Sequence, residues 1–250
     1  VIKLKEPDQV EETMENSTWG NILHLTLKNL FKENQLIDLD AIQTIRTQAN
    51  QQLKKEFELK FPDGRFKKGQ NALMYFQAQK CLEAFFNNEH KNIIKNGNYK
   101  ILGLEKKVEH NFEVLINDKK IPLRIKGDID RIDQTKEGIR IVDYKSGFIK
   151  NGAVSLKNFN AFKTQNYSLQ LITYAYLYHK QFKEKNLTAA IISLKNPKGN
   201  LIYFSFNNDK VLGTELFNNY ENYIVDLVQQ MTLENKEFKH NSKNKYCMIC

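Results

Sequence analysis

Carboxylates and a lysine are concentrated in two short segments of the chain that lie nine residues apart. Alternate residues of a β-strand share a face, so Asp128 and Asp130 point the same way if the first segment is a strand. By the same rule, Asp143 and Lys145 share a face of the next strand. If the two strands pair across the turn at Thr135–Gly138, two carboxylates and an ammonium converge on one patch.

Such a patch destabilises a fold that binds no cation, because like charges repel and buried carboxylates need a positive charge to offset them. A hard divalent ion such as Mg²⁺ or Mn²⁺ supplies that cation and prefers oxygen ligands. The alternative is a set of solvated charges on a hairpin edge. The context favours the metal, since Asp143–Lys145 ends the apolar strand Ile139–Val142 and is followed by Ser146 and Gly147.

The elements that must position this patch follow from the hydrophobic periodicity. A period of about 3.6 predicts helices in the first hundred residues, and at Tyr99 the period drops to about two, which predicts strands. Short turns join the first three strands, so they form an antiparallel meander. The predicted helices cover residues 19–34, 38–61, 69–96, 168–182 and 209–235, and the predicted strands cover 99–115, 121–133, 138–144, 189–194 and 201–206. This order predicts a mixed α/β domain with a helical N-terminal region.

The composition is that of an ordinary globular protein. With 41% hydrophobic residues and only 4 Pro in 250 residues, the chain is neither disordered nor collagen-like. No apolar run approaches the roughly 18 residues that span a bilayer, and residues 1–7 lack the apolar region of a signal peptide, so we expect neither a membrane nor a secretory protein. Three cysteines favour a reducing cytoplasm, and a net charge of +9 favours a polyanionic partner. Because the chain starts at Val1 and stops at Cys250, we expect it to be a piece of a longer protein.

Three segments together resemble the PD-(D/E)xK nuclease superfamily, in particular its RecB and AddB exonuclease branch, which includes the CRISPR-associated exonucleases. They are Gly127–Asp133, Asp143–Gly147 and Gln170–Tyr174. Upstream, Gly20–His24 resembles the Gly-x-x-x-His of the first helix in that branch. The resemblance spans roughly residues 19–178 and implies a restriction-endonuclease-like core, a mixed central sheet flanked by helices.

The resemblance also implies roles for individual residues. Asp130 and Asp143 would be metal ligands, together with the backbone carbonyl of Tyr144, and the metal would be Mg²⁺ or Mn²⁺. His24 would complete or support the metal site, and Glu105 would add an oxygen ligand directly or through water. Lys145 would orient the attacking water and stabilise the charge on the phosphorane oxygens. Gln170 and Tyr174 would help to place the scissile strand.

Each of these residues also has a structural interpretation. His24 lies beside the apolar face of its helix, and Gln170 and Tyr174 suit a packing face with a buried hydrogen bond. Glu109 competes with Glu105 for the strand position. Asp128 and Asp133 are either neighbours of the ligands or surface groups, and Arg131 either touches phosphate or pairs with one of the carboxylates.

The last cysteines provide a further hypothesis. Many members of this branch hold an iron-sulfur cluster, and Cys247 and Cys250 resemble the start of its C-terminal ligand group. Cys81 falls in a helical pattern and is predicted to be a core residue. We therefore expect a 4Fe-4S cluster in the full-length protein but not a complete one in this chain. The alternative is a cysteine pair with no role or with adventitious Zn²⁺.

The predicted domains are a helical part over residues 1–98, a nuclease core over 99–240 and a truncated Cys-rich segment over 241–250. The predicted function is a metal-dependent DNA nuclease, an exonuclease acting at DNA ends as part of a helicase-nuclease. Lysine and arginine clusters would contact phosphates, and aromatic residues in the loop after Lys145 would stack on unpaired bases. The alternatives are a catalytically silent nucleic-acid-binding or scaffolding module on the same fold and, third, a small-molecule metallohydrolase. The loop aromatics are Phe148, Phe159, Phe162 and Tyr167.

Overall fold

The computed structural model describes residues 14–116, 119–163, 165–196 and 201–232. Within them, three helices come first, one follows the central strands and one comes last. The helices are α1 (Asn16–Leu30), α2 (Leu39–Lys60), α3 (Gly69–Asn96), α4 (Asn166–Phe182) and α5 (Thr214–Thr232). No helix among these residues is long and apolar enough to cross a membrane.

The strands form one large mixed sheet and one small sheet. They are β1 (Leu36–Ile37), β2 (Tyr99–Ile116), β3 (Lys119–Thr135), β4 (Gly138–Lys145), β5 (Ser155–Leu156), β6 (Leu187–Ser193), β7 (Ile202–Tyr203) and β8 (Ser205–Phe206). The large sheet has the order β1-β2-β3-β4-β6-β7, and β5 pairs with β8 in the small one. β2, β3 and β4 are antiparallel neighbours, as predicted, whereas β6 is parallel to β4.

Local chemistry explains several element boundaries. Asp38 caps α2, because its side chain accepts a hydrogen bond of 2.8 Å from the backbone N–H of Ala41. At Gly97 the backbone turns to a positive φ of 88°, which ends α3. The turn between β3 and β4 places Gly138 at φ 125°, and an added Cβ there would lie 2.6 Å from the backbone carbonyl oxygen of Asn186, so no side chain fits.

Two hydrophobic cores lie on opposite faces of the large sheet. The first unites α1, α2 and α3 with sheet residues such as Ile101, Val142 and Tyr144. The second unites α4 and α5 with sheet residues such as Ile141 and Ile191. A mixed sheet flanked by helices is the restriction-endonuclease-like α/β architecture that the sequence predicts. The helical N-terminal region packs directly on the sheet through the first core.

Some predicted boundaries are wrong. α1 begins at Asn16 instead of Trp19. Glu15 is its N-cap, and the backbone N–H of the buried Met14 before it donates to Asn71 Oδ1 at 2.8 Å. The predicted strand at 201–206 is two short strands in different sheets. α5 begins at Thr214 rather than at 209, because the preceding residues form a turn and a bridge to β6. The predicted end of that helix lies outside the described residues.

Candidate functional site

The site forms where β3 and β4 separate. The last paired residues of the two strands are Arg131 and Val142, and β4 then continues along β6. The backbone N–H of Tyr144 donates to Asp130 Oδ2 at 2.6 Å. The Asp130 carboxylate therefore takes the place of a ladder acceptor, which fixes its position against β4.

Glu105 faces Asp130 from β2. Its neighbours Leu104 and Lys106 pair with Arg131 and Ile129, so Asp130 is the residue opposite Glu105. The backbone of Glu105 is left-handed, with φ of 49°. This conformation is unfavourable for a residue with a Cβ, and such residues are concentrated at functional sites.

α1 supplies the third member of the cluster, His24. Its Nδ1 lies 3.5 Å from Asp130 Oδ1, and its ring contacts Tyr144 edge-on at a centroid distance of 5.9 Å. At Gly20, α1 lies close to the end of β4, and an added Cβ would lie 2.9 Å from Ser146 Oγ and would force that side chain to move. Gly20 and His24 of the Gly-x-x-x-His segment therefore both lie against the end of β4.

The donor set of His24, Glu105 and Asp130 fits a divalent cation. One ligand atom from each residue lies within 4.8 Å of the others. Burial of Glu105 and the nearby Asp130 carboxylate raise the pKa of Glu105, so the site disfavours a second negative charge. For His24, burial of the ring opposes protonation, but the hydrogen bond to Asp130 and the surrounding carboxylates outweigh it and raise its pKa. Carboxylate oxygens with one imidazole suit a hard divalent ion such as Mg²⁺ or Mn²⁺.

Asp143 and Lys145 form a second pair beside this cluster. Asp143 is buried, and its Oδ2 lies 2.8 Å from Lys145 Nζ in an ion contact without hydrogen-bond geometry. Burial raises the pKa of Asp143 to about 6, with Lys145 opposing the rise and Asp130 adding to it. Asp143 is not in the group of three potential ligands. A buried carboxylate that accepts no hydrogen bond at one oxygen is nevertheless in an environment that a nearby cation stabilises.

α4 orients the lysine. Lys145 Nζ donates to Gln170 Oε1 at 2.7 Å, and Gln170 Nε2 donates to the hydroxyl of Tyr174 at 2.8 Å. The exposed ring of Tyr167 lies 5.6 Å from the same ammonium. Gly127 on β3 leaves room for Tyr174, because a Cβ there would lie 2.6 Å from Tyr174 Cε1.

Other sequence candidates lie elsewhere. Glu109 is exposed and paired with Arg124, so Glu105 is the glutamate of the cluster. Asp128 is exposed. The side chain of Tyr144 is buried in the first core, and only its backbone N–H is seen to contact Asp130. The role of the Tyr144 carbonyl stays a prediction.

Arg131 and Asp133 are buried on the opposite face of β3. Arg131 Nε lies 3.1 Å from Asp133 Oδ1, and Arg131 also contacts Glu89 at 3.4 Å and the Tyr144 hydroxyl at 3.0 Å. Arg131 therefore pairs with carboxylates and does not touch phosphate, and Asp133 is not a surface group. Glu89 was not identified from the sequence, although it interrupts the apolar stripe of α3 at a buried position.

The loop aromatics divide into two groups. Phe148 and Tyr167 are exposed, at 58% and 44%. Phe162 is buried and Phe159 is half-buried, and both contact Tyr223 of α5, so the prediction that these two stack on bases is wrong. Cys81 is buried in the first core, whereas Cys247, Cys250 and the lysines of residues 236–245 lie outside the described residues.

Comparison with known proteins identifies the class. The sequence model of the PD-(D/E)XK nuclease superfamily matches residues 1–250, and the chain belongs to that superfamily. Membership implies a nuclease that hydrolyses phosphodiester bonds in nucleic acid, with the help of divalent metal ions. No curated protein matches the chain. Among solved structures, the chain is similar to one described as "Crystal structure of SSO0001", at 14% identity over 96% of this chain and 97% of that chain, with a TM-score of 0.32.

Proposed function

We propose that this chain is a Mg²⁺- or Mn²⁺-dependent deoxyribonuclease of the RecB and AddB type, an exonuclease that acts at DNA ends. The observation that carries the proposal is the convergence of His24, Glu105 and Asp130 beside the buried pair of Asp143 and Lys145. Three carboxylates, an imidazole and an ammonium at the point where two strands separate form an arrangement with no evident structural purpose. In a nuclease the same groups would bind a metal ion and stabilise the charge on the scissile phosphate.

In the proposed mechanism, His24, Glu105 and Asp130 would hold the metal together with Asp143, and the Tyr144 carbonyl would lie beside them. A divalent metal held there would lower the pKa of a bound water and would neutralise charge on the phosphate oxygens. The chain's own contribution starts with Asp130, whose orientation is fixed by the N–H of Tyr144. The carboxylates thus stay in place before substrate arrives, which avoids reorganisation during the reaction.

Lys145 is the proposed catalytic ammonium. It orients the attacking water and stabilises the negative charge that develops on the phosphorane oxygens. Asp143 and Gln170 restrict the ammonium from two sides, at 2.8 and 2.7 Å. Tyr174 in turn holds Gln170, so α4 controls the position of the lysine through a chain of two hydrogen bonds.

Exposed aromatic rings favour an unpaired strand as the substrate. Tyr167 lies beside the ammonium of Lys145, and Phe148 is three residues further along the chain from it. Bases of a single strand or of a frayed end stack on such rings with about 1–3 kcal/mol each. We propose DNA ends or single strands as the substrate and a helicase domain or subunit as the partner that delivers them. A 4Fe-4S cluster in the full-length protein stays a prediction.

The test measures degradation of end-labelled linear single- and double-stranded DNA in Mg²⁺ and in Mn²⁺, with a closed circle of the same sequence as a comparison. We expect linear DNA to be degraded, the closed circle to survive and a chelator to abolish the activity. Lys145→Ala and Asp143→Ala should each lower the rate by about 10²–10³-fold. Lys119→Ala, a substitution of an exposed lysine far along β3, is the matched control and should retain full activity.

Two results would contradict the proposal. Tight DNA binding without cleavage in either metal would identify a catalytically silent nucleic-acid-binding module. Cleavage that survives both Lys145→Ala and Asp143→Ala would place the chemistry at other residues.

A further inference from the structure

A basic cleft lies at the far end of the sheet from the candidate site. It has a volume of about 390 Å³ and is bordered by the end of α3, the β3–β4 turn and the segment after β8. The candidate site lies at the other end of β4. Because a strand rises about 3.3 Å per residue, the two ends of this eight-residue strand are roughly 20 Å apart. The cleft is therefore separate from the nuclease chemistry.

The cleft carries an excess of positive charge. Lys95, Lys136 and Lys210 line it, and none of the three forms an ion pair with a described residue. Glu137 is the acidic residue of the lining. Three ammonium groups around one concave space produce a local potential that attracts anions.

The inner wall adds a buried guanidinium and aromatic rings. Arg140 is 3% exposed and lines the cleft, while its Nη2 and Nε atoms contact Asp133 at 2.8 and 3.1 Å. Its position is thus fixed from behind by a carboxylate. Tyr203 also lines the cleft, half-buried, with Lys210 Nζ 5.4 Å from its ring centroid. A flat ring beside cationic groups offers a stacking surface next to an anion site.

These features match a phosphate group attached to a nucleoside. A terminal phosphate carries a charge of about −1.5 to −2 at neutral pH, which several lysines can offset. The volume lies in the range of about 300–1,000 Å³ that is typical of small-ligand sites. A phosphodiester backbone, by contrast, needs an open groove instead of a compact cleft.

We propose that this cleft binds the terminal phosphate and adjoining nucleoside of a nucleotide. Lys136 and Lys210 contact the phosphate, and Tyr203 packs against the base or sugar. The ligand is either a free mononucleotide or the phosphorylated end of a strand. The proposal goes beyond the proposed nuclease function, because the cleft shares no residue with the candidate site.

The test is calorimetric titration of the purified chain with deoxyadenosine 5′-monophosphate in the presence of a chelator, so that no metal contributes at the candidate site. The double substitution Lys136→Glu/Lys210→Glu should raise the Kd at least tenfold. The control Lys55→Glu/Lys119→Glu changes the net charge equally at exposed positions elsewhere and should leave the Kd within twofold. Lys145→Ala should also leave it within twofold, and circular dichroism checks that every variant is folded.

Competition distinguishes the two sources of the ligand. Displacement by a 5′-phosphorylated oligonucleotide but not by its unphosphorylated counterpart supports a strand end, and displacement by mononucleotides alone supports a free nucleotide. Three results would overturn the proposal: an unchanged Kd in Lys136→Glu/Lys210→Glu, an equal loss in the charge control, or loss of binding in Lys145→Ala. Inorganic phosphate or deoxyadenosine binding as tightly as the nucleotide would overturn it as well.

Discussion

Glu105 is the residue at which local backbone preference and site chemistry conflict. It adopts a left-handed conformation, and its carboxylate is held near that of Asp130. The backbone conformation is strained in itself. The charge of the carboxylate is unfavourable without a cation, since burial and the neighbouring Asp130 raise the pKa of Glu105. The position therefore has the properties of a ligand that is held in place for a metal.

Glu105→Gln separates stability from metal binding. The substitution keeps the shape and removes the charge, so in a chelator we expect unfolding free energy that is unchanged within about 0.5 kcal/mol or slightly higher. Wild-type protein should gain about 2.7 kcal/mol from Mn²⁺ at a hundred times the Kd, and the variant should lose most of this gain. Thermal unfolding with and without Mn²⁺ measures both effects.

Glu109→Gln is the control for that experiment. Glu109 lies on the same strand, exposed and paired with Arg124. Its removal should leave the Mn²⁺-dependent gain intact. If Glu109→Gln and Glu105→Gln lose the gain equally, the cluster is not the metal site.

At the scale of elements, the site depends on how closely α4 approaches β3. Gly127 permits this close approach, because a Cβ there would lie 2.6 Å from Cε1 of Tyr174. The ring is joined through Gln170 to Lys145. The distance between a helix and a strand is thus linked to the position of the proposed catalytic ammonium.

Gly127→Ala should displace Tyr174 and weaken catalysis. A misplacement of about 1 Å can cost on the order of 10²-fold, so we expect the rate of DNA cleavage to fall by about 10- to 100-fold, with little change in KM for DNA. Gly213→Ala is the control, because a Cβ at Gly213 meets no atom within 4 Å.

A double substitution tests whether displacement of Tyr174 causes the loss of cleavage rate in Gly127→Ala. If displacement of the tyrosine ring is responsible, Gly127→Ala should have little further effect in a Tyr174→Ala background. Additive losses in the double variant would show that Gly127 acts independently of Tyr174.

Elements with strong periodicity could be predicted from the sequence, and long-range geometry could not. The helix at Gly69–Asn96 and the β2–β3–β4 meander follow from patterns within each segment. The two-residue strands β1 and β5 are too short to leave a pattern. β4 leaves β3 beyond Val142 and continues beside β6, whose paired residues lie 48 positions further along the chain, so the separation that places Asp130 depends on a long-range pairing.

The candidate site shows the same division. The strand rule placed Asp143 and Lys145 on one face, and the resemblance supplied His24 and Glu105, whose roles in catalysis stay predictions. The sequence could not decide whether Arg131 is exposed, because its two neighbours on the same face of the strand are one apolar residue, Ile129, and one charged residue, Asp133. Its burial depends on Glu89 and Asp133, which approach it only in the folded chain.

At the scale of the whole molecule, a buried network of charges joins the helical layer to the sheet. Arg131 and Arg140 both contact Asp133, which is fully buried, and Arg131 also contacts Glu89 of α3. Tyr99 of β2 donates a hydrogen bond to the same glutamate. Burial opposes the charge of Arg131, but the surrounding acidic groups outweigh it and keep its pKa well above the ordinary value. Asp133 is therefore the shared counter-ion of two buried guanidinium groups.

Asp133→Asn should destabilise the entire protein. Removing the shared carboxylate leaves Arg140 without a counter-ion and Arg131 with Glu89 alone, which costs about 3–5 kcal/mol, and for a chain of this size the Tm should fall by about 10 °C. Asp128→Asn, on the same strand but exposed, should change stability by less than about 0.5 kcal/mol. Urea unfolding and thermal unfolding, both followed by circular dichroism, measure the unfolding free energy and the Tm of each variant. If Asp133→Asn and Asp128→Asn have the same unfolding free energy, the network of buried charges contributes little to stability. A loss confined to Asp133→Asn, with a single cooperative transition, would show that the helical layer and the sheet unfold together.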